Sequence, residues 1–406
     1  MMRASDCSTA PLAAARNAAY WYESWDDVRS EDIERVARML REGRLSIVSG
    51  GILSQFEKRF AAFSGCRHAV AFNNGTAAIY AALWAVGVRA GDDVLVCDYG
   101  FHGAAAAVLA LGARVVPVDC LEDSFTIDPD DIPAKRTVRT KAILAHNPWG
   151  VPARLDAVRR GAPDLPIVAD AAHAHGALYR GKALGAWADI TCYSLGQAKL
   201  ITGGELGCAV TDQTTYRDRM LTLGHVNRVP GDLVGDDWDG NAVGLKLRPH
   251  AVALTLAHAQ VRRFAEKRAA LIATCTRLER GFADAGFVPQ AMPAGAERVY
   301  WRIVLRLDDA VFARVETAAV ERALCERGVP VEPCHYLPTL QNQPIFRWPD
   351  HAGRCLPAPC PIAERVARRT VTLPAPARLP EQVLRATIAA AVATSVALGA
   401  HAQHGG

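Results

Sequence analysis

Short apolar runs recur through the first half of the chain, each bounded by small or polar residues. His68–Phe72, Asp93–Cys97, Arg114–Val118, Lys141–Ala145, Pro166–Ala169, Ile190–Tyr193 and Gly207–Thr211 show little alternation of apolar and polar positions. Strands of that kind are covered on both faces, as in a mostly parallel sheet. Between them, Thr76–Val86, Gly103–Leu111 and Leu155–Arg160 read as helices. Upstream, Ile33, Val36, Ala37 and Leu40 repeat at helical spacing within Glu31–Glu42, with Ser30 as the expected N-cap. Phe56, Phe60 and Phe63 mark another short helix with Lys58 on its polar side. Strands alternating with helices predict a large α/β domain whose mostly parallel sheet is covered by helices.

The pattern changes after Gly224. Residues 224–248 are rich in Gly, Asp and Asn and lack a period, which predicts a long loop of the functional or interface-forming kind. Pro249–Ala273 reads as a long helix. A smaller α/β unit follows, with strand Val299–Leu307 and helix Ala310–Arg327. His335–Trp348 is aromatic, Pro-rich and irregular, and Pro380–Leu398 closes the chain as a helix. The expected organisation is an N-terminal extension over 1–30, mobile over its Ala- and Ser-rich first twenty residues, a large domain over 31–275 and a small C-terminal domain over 276–406.

Composition narrows the function classes. The chain has 406 residues, half of them apolar, so disorder is excluded as its main state. With 46 Lys+Arg against 42 Asp+Glu, no nucleic-acid footprint is indicated. The longest apolar run, Ala104–Ala113, reads as a core helix and not as a membrane span. The eleven cysteines form no CxxC pair, and residues 1–20 have no signal-peptide pattern. The expectation is a cytoplasmic protein with reduced thiols.

Ligands of open parallel sheets bind beyond the carboxyl ends of the strands. Three such ends carry unusual residues. Asn73-Asn74-Gly75-Thr76 joins a strand to a helix. Gly75 lets a ligand approach the backbone, the helix start offers N–H groups to an anion, and Thr76 adds a hydroxyl. An ordinary capping turn is the alternative. Asp170 follows the apolar Pro-Ile-Val-Ala and opens Asp-Ala-Ala-His-Ala-His-Gly. A carboxylate at a buried strand end needs a positive partner, though a helix cap or a metal ligand would place an Asp here too. His173 and His175 argue weakly for metal, because i, i+2 spacing puts them on different helix faces and no carboxylate completes a triad nearby.

The third end is the stretch Ser194–Gly207, which holds Lys199 between two strands. The chain has seven lysines. Lys58 and Lys267 read as helix polar faces, Lys135 and Lys141 as flanks of a basic connection, Lys182 as a turn and Lys246 as loop. Only Lys199 sits where strand ends converge, and such a lysine can attack a carbonyl. Together these are the parts that pyridoxal phosphate (PLP) needs: a phosphate cradle, a carboxylate for the ring nitrogen and a lysine for a Schiff base. Phe101, just past the strand ending at Cys97, offers a flat face for the ring.

The ordered set of motifs resembles the DegT/DnrJ/StrS family of sugar and cyclitol aminotransferases, with fold type I, over roughly residues 30–385. Gln55-Phe-Glu-Lys-Arg-Phe with Asn74-Gly-Thr-Ala-Ala is similar to the family's entry motif. Val-Ala-Asp170-Ala-Ala-His-Ala-His-Gly is similar to its acidic motif. Ser194–Gly207 matches S-x-x-x-x-K-x-x-x-x-G-E-x-G, and Gly244-Leu-Lys-Leu-Arg248 resembles G-x-N-x-R. Cys360-Pro-Ile-Ala-Glu with Leu373-Pro resembles the C-terminal signature.

The resemblance implies roles residue by residue. Lys199 would carry the cofactor and shuttle the proton, and Asp170 would pair with the pyridine nitrogen. His173 would lie near the ring oxygen and Phe101 would stack on the ring. Gly75, Thr76 and Ser194 would bind the phosphate with Gln197 nearby, a glutamine reminiscent of the cyclitol and aminoshikimate-type branch. Lys246 would reach the neighbouring subunit's site, so a homodimer is expected. Tyr99, His335 and Tyr336 are the candidates for substrate contact, although His335 and Tyr336 could equally be packing residues.

Three positions depart from the family pattern: Lys246 for Asn, Leu206 for Gly and Cys97 for Pro. The expected reaction is transfer of an amino group from L-glutamate or L-glutamine to a keto-sugar or keto-cyclitol. Lys246 and Leu206 leave a PLP-dependent elimination as the alternative. A dinucleotide enzyme is excluded by the lack of G-x-G-x-x-G after the first strand. A non-catalytic scaffold does not account for a retained Lys199.

Overall fold

A computed structural model describes residues 28–47, 51–225, 227–229, 244–332 and 334–403. The expected N-terminal extension falls almost wholly outside the described residues, as do 226 and 230–243 of the expected long loop.

Seven strands form the large sheet: β1 (His68–Phe72), β2 (Asp93–Cys97), β3 (Arg114–Val118), β4 (Thr140–His146), β5 (Ile167–Asp170), β6 (Ile190–Ser194) and β7 (Gly207–Thr211). Their spatial order is β1-β7-β6-β5-β4-β2-β3, and only β7 runs against its neighbours. The strands are almost fully buried because helices cover both faces, which is why they lack alternation. Gly75–Ala85 and His102–Ala110 lie on one face with apolar side chains such as Ile79 and Val108. Ile52–Phe63 and Ala251–Ala283 lie on the other, where Phe56, Phe60 and Phe264 pack.

A second sheet follows: β8 (Phe287–Pro289), β9 (Arg302–Leu307) and β10 (Thr370–Pro374), antiparallel in the order β8-β9-β10. The stretch of chain between β9 and β10 is tied back to the large sheet. The Leu340 N–H donates to the Asp98 carbonyl, and the Asp98 carboxylate accepts from the Gln341 backbone N–H and side-chain amide. The Asp119 carboxylate accepts from the N–H groups of Ile362 and Ala363 at the start of helix Pro361–Arg368.

Several expected elements differ in detail. The first helix is Ser30–Arg41, so Ser30 is inside it and Arg29 is the N-cap; the Asp32 carboxylate accepts from the Arg29 N–H. The long helix runs over Ala251–Ala283, past the expected end and through the expected domain boundary near 275. The expected helix Ala310–Arg327 is two pieces, Asp309–Phe312 and Thr317–Glu326. Helix Thr214–Gly224 lies in what the sequence leaves unassigned. Lys267 is buried and not on a polar face: its ammonium donates to the Leu200 carbonyl, because the long helix packs under the Lys199 loop. The closing helix, Glu381–Gln403, is long and apolar enough over Glu381–Gly399 to cross a membrane by length and composition. Here Leu384, Ala391 and Thr394 are buried, and the helix packs on Ala251–Ala283.

Candidate active site

Strand register assembles the site. Phe72 at the end of β1 pairs with Gly207, and Gly207 also pairs with Ser194 at the end of β6. The turn after β1 therefore lies against the end of β6. A Cβ on Gly75 would sit 2.7 Å from Ser194 Cβ, and one on Gly207 would sit 2.1 Å from the Asn74 carbonyl oxygen, so both must be glycine. The Asn74 side chain caps the helix by accepting from the Ala77 N–H at 2.8 Å. The N–H groups of Gly75 and Thr76 have no intrahelical partner, and both residues line the cavity described below.

His146 and Asp170 are Cα partners on the adjacent parallel strands β4 and β5. His146 Nδ1 lies 3.6 Å from Asp170 Oδ2, too far for a hydrogen bond but close enough for charge to be felt. Asp170 also accepts from the Ala172 N–H at 2.9 Å. Burial pushes the Asp170 carboxyl up, but His146, the Ala172 N–H and the Lys199 charge outweigh it and hold it below the usual carboxylate range. Asp170 is thus an anion inside the wall.

Lys199 follows β6, in a loop closed by the Leu195–Leu206 and Gly203–Leu195 backbone hydrogen bonds. Burial pushes its amine down to about 8, with Arg302 adding to the shift and Asp170 opposing it. Its Nζ lies 4.0 Å from the centre of the Trp301 ring. Trp301 donates from Nε1 to the Ala198 carbonyl at 2.6 Å and stacks on His173 at 3.7 Å. Arg302, paired with Glu332, lies 4.5 Å from the Trp301 ring centre. Burial, then the nearby Lys199 charge, holds the His173 imidazole well below its usual range, so it is neutral.

His146, Asp170, His173, Lys199 and Trp301 line one cavity of about 800 Å³. Of the residues expected at the site, Gly75, Thr76, Phe101, Asp170, His173, Ser194, Lys199, His335 and Tyr336 line it. Phe101 is 47% exposed at its mouth. Three expected residues do not line it. Gln197 is exposed. Lys246 is exposed with φ of 51°, while its neighbour Leu247 lines the cavity and accepts from the Asn73 N–H. Tyr99 is fully buried behind the wall, where its hydroxyl accepts from Trp149 Nε1 at 3.0 Å. The departure Leu206 is a core residue and does not line the cavity.

The DegT/DnrJ/EryC1/StrS aminotransferase family profile matches residues 26–392. The chain belongs to that family. It is 33% identical over 375 residues to an L-glutamine:2-deoxy-scyllo-inosose aminotransferase of Streptomyces paromomycinus, covering 86% of this chain and 88% of that one. The structure of 3-amino-5-hydroxybenzoic acid synthase superposes with a TM-score of 0.81 at 27% identity, over 92% of this chain and 98% of that one. An aminotransferase from Psychrobacter cryohalolentis shares the fold, with a TM-score of 0.84 at 23% identity over 92% and 98%.

This aminotransferase is PLP-dependent, as its family is. The residues fit the group: a glycine cradle that a Cβ would fill, a charged buried carboxylate and a lysine whose amine is readily neutral. Among the cavity residues that escape the sequence reading are His146 and Trp301. His146 ends β4 one residue beyond the expected strand; a histidine at the carboxyl end of a buried parallel strand is the signal that could have found it. Trp301 lies inside the expected strand of the second unit, where no spacing distinguishes it from core. No metal-holding cluster exists among the described residues.

Proposed function

We propose that this aminotransferase moves an amino group from L-glutamine or L-glutamate to a keto-cyclitol or a related cyclic ketone. Resemblance to the glutamine:2-deoxy-scyllo-inosose enzyme supports the donor and the acceptor class. The observation that carries the reading is Lys199 Nζ over the Trp301 face, within reach of Asp170's charge, in one cavity. PLP, when bound, would supply the aldehyde carrier and electron sink that amino transfer needs, the donor leaving as its keto acid and the acceptor's carbonyl oxygen as water. Gly75, Thr76 and Ser194 would hold its phosphate at a helix start. Asp170 would keep the proton on the ring nitrogen, and His173 would lie near the ring oxygen. Phe101 would cover the ring.

Lys199 Nζ moves the proton at the substrate carbon; an amine near 8 can both take and return it. Trp301 gives a ring-shaped acceptor a flat wall beside that amine, with His335 at the rim. Lys246 reaches the partner of a homodimer in the cytoplasm, with the domains divided as 31–275 and 276–406. Leu206 lies in the core and gives elimination no support. The test is the visible cofactor band. L-glutamine alone should bleach it, and a keto-cyclitol should restore it with appearance of amine. A band unmoved by either donor sinks the proposal.

A further inference from the structure

β1 is an edge strand of the large sheet, yet it leads into the turn Asn73–Thr76. β7 pairs with one side of it, so the outward backbone groups on the other side need partners from elsewhere. Ala71 is fully buried, two residues before Asn73. Its N–H donates to Glu57 Oε1 at 3.0 Å, and its carbonyl accepts from His225 Nε2 at 2.7 Å. Arg228 joins these two side chains. Its Nη1 donates to Glu57 Oε1 and to His225 Nδ1, each at 3.0 Å, and its Nη2 donates to Glu57 Oε2 at 2.7 Å. The Asn73 N–H continues the same edge by donating to the Leu247 carbonyl at 2.9 Å.

Chemistry fixes every donor in this set. A guanidinium only donates, so His225 Nδ1 is bare and Nε2 carries the proton that the Ala71 carbonyl accepts. Burial, then the Arg228 charge, pushes the His225 imidazole down to about 3, so it is neutral. Burial pushes the Glu57 carboxyl up, and Arg228 opposes that rise. Glu57 belongs to helix Ile52–Phe63, while His225 and Arg228 follow helix Thr214–Gly224. Two helices are thus tied to one strand end. Removing a member leaves a buried backbone group of Ala71 unpaired, or a buried charge without its partner. The strand end must then shift or admit water, and Asn74–Thr76 shift with it. There is little slack there, since a Cβ on Gly207 would already sit 2.1 Å from the Asn74 carbonyl oxygen.

We propose that Glu57, Arg228 and His225 are positioning residues that clasp the open edge of β1 and set where the Gly75 and Thr76 N–H groups meet the cofactor phosphate. None of the three lines the cavity, so the clasp acts through β1 alone. The role rests on the reading of Asn73–Thr76 as the phosphate cradle.

The test combines PLP titration of cofactor-free protein, thermal unfolding, and ³¹P NMR of the phosphate in PLP-loaded protein. Arg228→Met should weaken PLP about tenfold and move the phosphorus signal, the effect of losing a buried hydrogen bond to a charged group. Glu57→Gln nearly keeps the shape, so it carries the test if Arg228→Met does not fold; it should change both readings in the same direction. Arg114→Met is the control. It breaks the two-pronged pair of Arg114 with buried Asp93 at the amino ends of β2 and β3, away from the cradle. It should lower the melting temperature and leave PLP affinity and the phosphorus signal as in the wild type. Clasp variants with wild-type affinity and an unmoved phosphorus signal overturn the proposal, as does an equal loss of PLP in Arg114→Met. Thr76→Val, which removes the cradle hydroxyl, separates the two failures. An unmoved signal there sinks the cradle reading and the clasp with it; a moved signal there, with none in the clasp variants, sinks the clasp alone.

Discussion

Gly75→Ala tests whether the phosphate cradle is set by close backbone approach. The added Cβ would meet Ser194 Cβ at 2.7 Å, Ser194 Cα at 3.0 Å and Ser194 Oγ at 3.1 Å. Carbon atoms rest at about 3.5–4.0 Å, so the gap must open by up to about 1 Å. Ser194 cannot rotate away, because two of the three atoms belong to its Cα and Cβ and its strand is paired with β7 through Gly207. Overpacking of this kind costs about 1–3 kcal/mol. If the strain stays in the cofactor-free fold, the melting temperature falls by a few degrees. If the helix start moves off the cradle instead, PLP affinity falls about tenfold to a hundredfold, at 1.4 kcal/mol per decade. Titrating cofactor-free protein with PLP, alongside thermal unfolding, separates the two. Gly196→Ala is the control in the same cavity: its Cβ would meet nothing closer than 3.6 Å, and its backbone is not left-handed. A Gly75→Ala protein with wild-type affinity and melting temperature would refute the cradle, as would equal damage from Gly196→Ala.

Lys199→Arg keeps the charge but cannot be neutral near pH 8; turnover should vanish in a coupled amino-transfer assay while the fold melts as before. Because burial lowers the Lys199 amine from 10.5 to about 8, its neutral fraction grows as pH rises through 8 and then levels off. The rate of PLP capture by cofactor-free protein, followed by stopped flow, should have that profile; a rate still climbing at pH 10 contradicts it. Asp170→Asn removes the charge that holds the ring proton and should lower kcat about 10²-fold or more in the donor half-reaction. Trp301→Ala should raise the acceptor KM about tenfold with little change in the donor KM, read in steady-state kinetics with each substrate varied.

The sheet is legible because each strand is an unbroken apolar run between helices that cover both its faces. Element ends are less so. Ser30 is a good N-cap type, yet Asp32 reaches back to the Arg29 N–H and starts the helix one residue earlier. Lys267 looks solvated because helical period alone cannot show that its ammonium will find the Leu200 carbonyl. At the site, Asp170, Lys199 and Gly75 are visible because each is an unlike residue at the end of an apolar strand. His146 needs the neighbouring strand's register, and Trp301 needs the packing of the second sheet on the first. Tyr99 and Tyr336 illustrate the limit: both are aromatic, but Tyr99 is buried against Trp149 and Tyr336 and does not line the cavity, while Tyr336 lines it and lies between two imidazoles.

The most direct measurement of the central claim is borohydride reduction of the PLP-loaded protein followed by peptide mass mapping. Among the seven lysines, the pyridoxyl mass should appear on the Lys199 peptide alone, and prior addition of L-glutamine should abolish it. A label on another lysine, or none on a protein that binds PLP, would contradict the account.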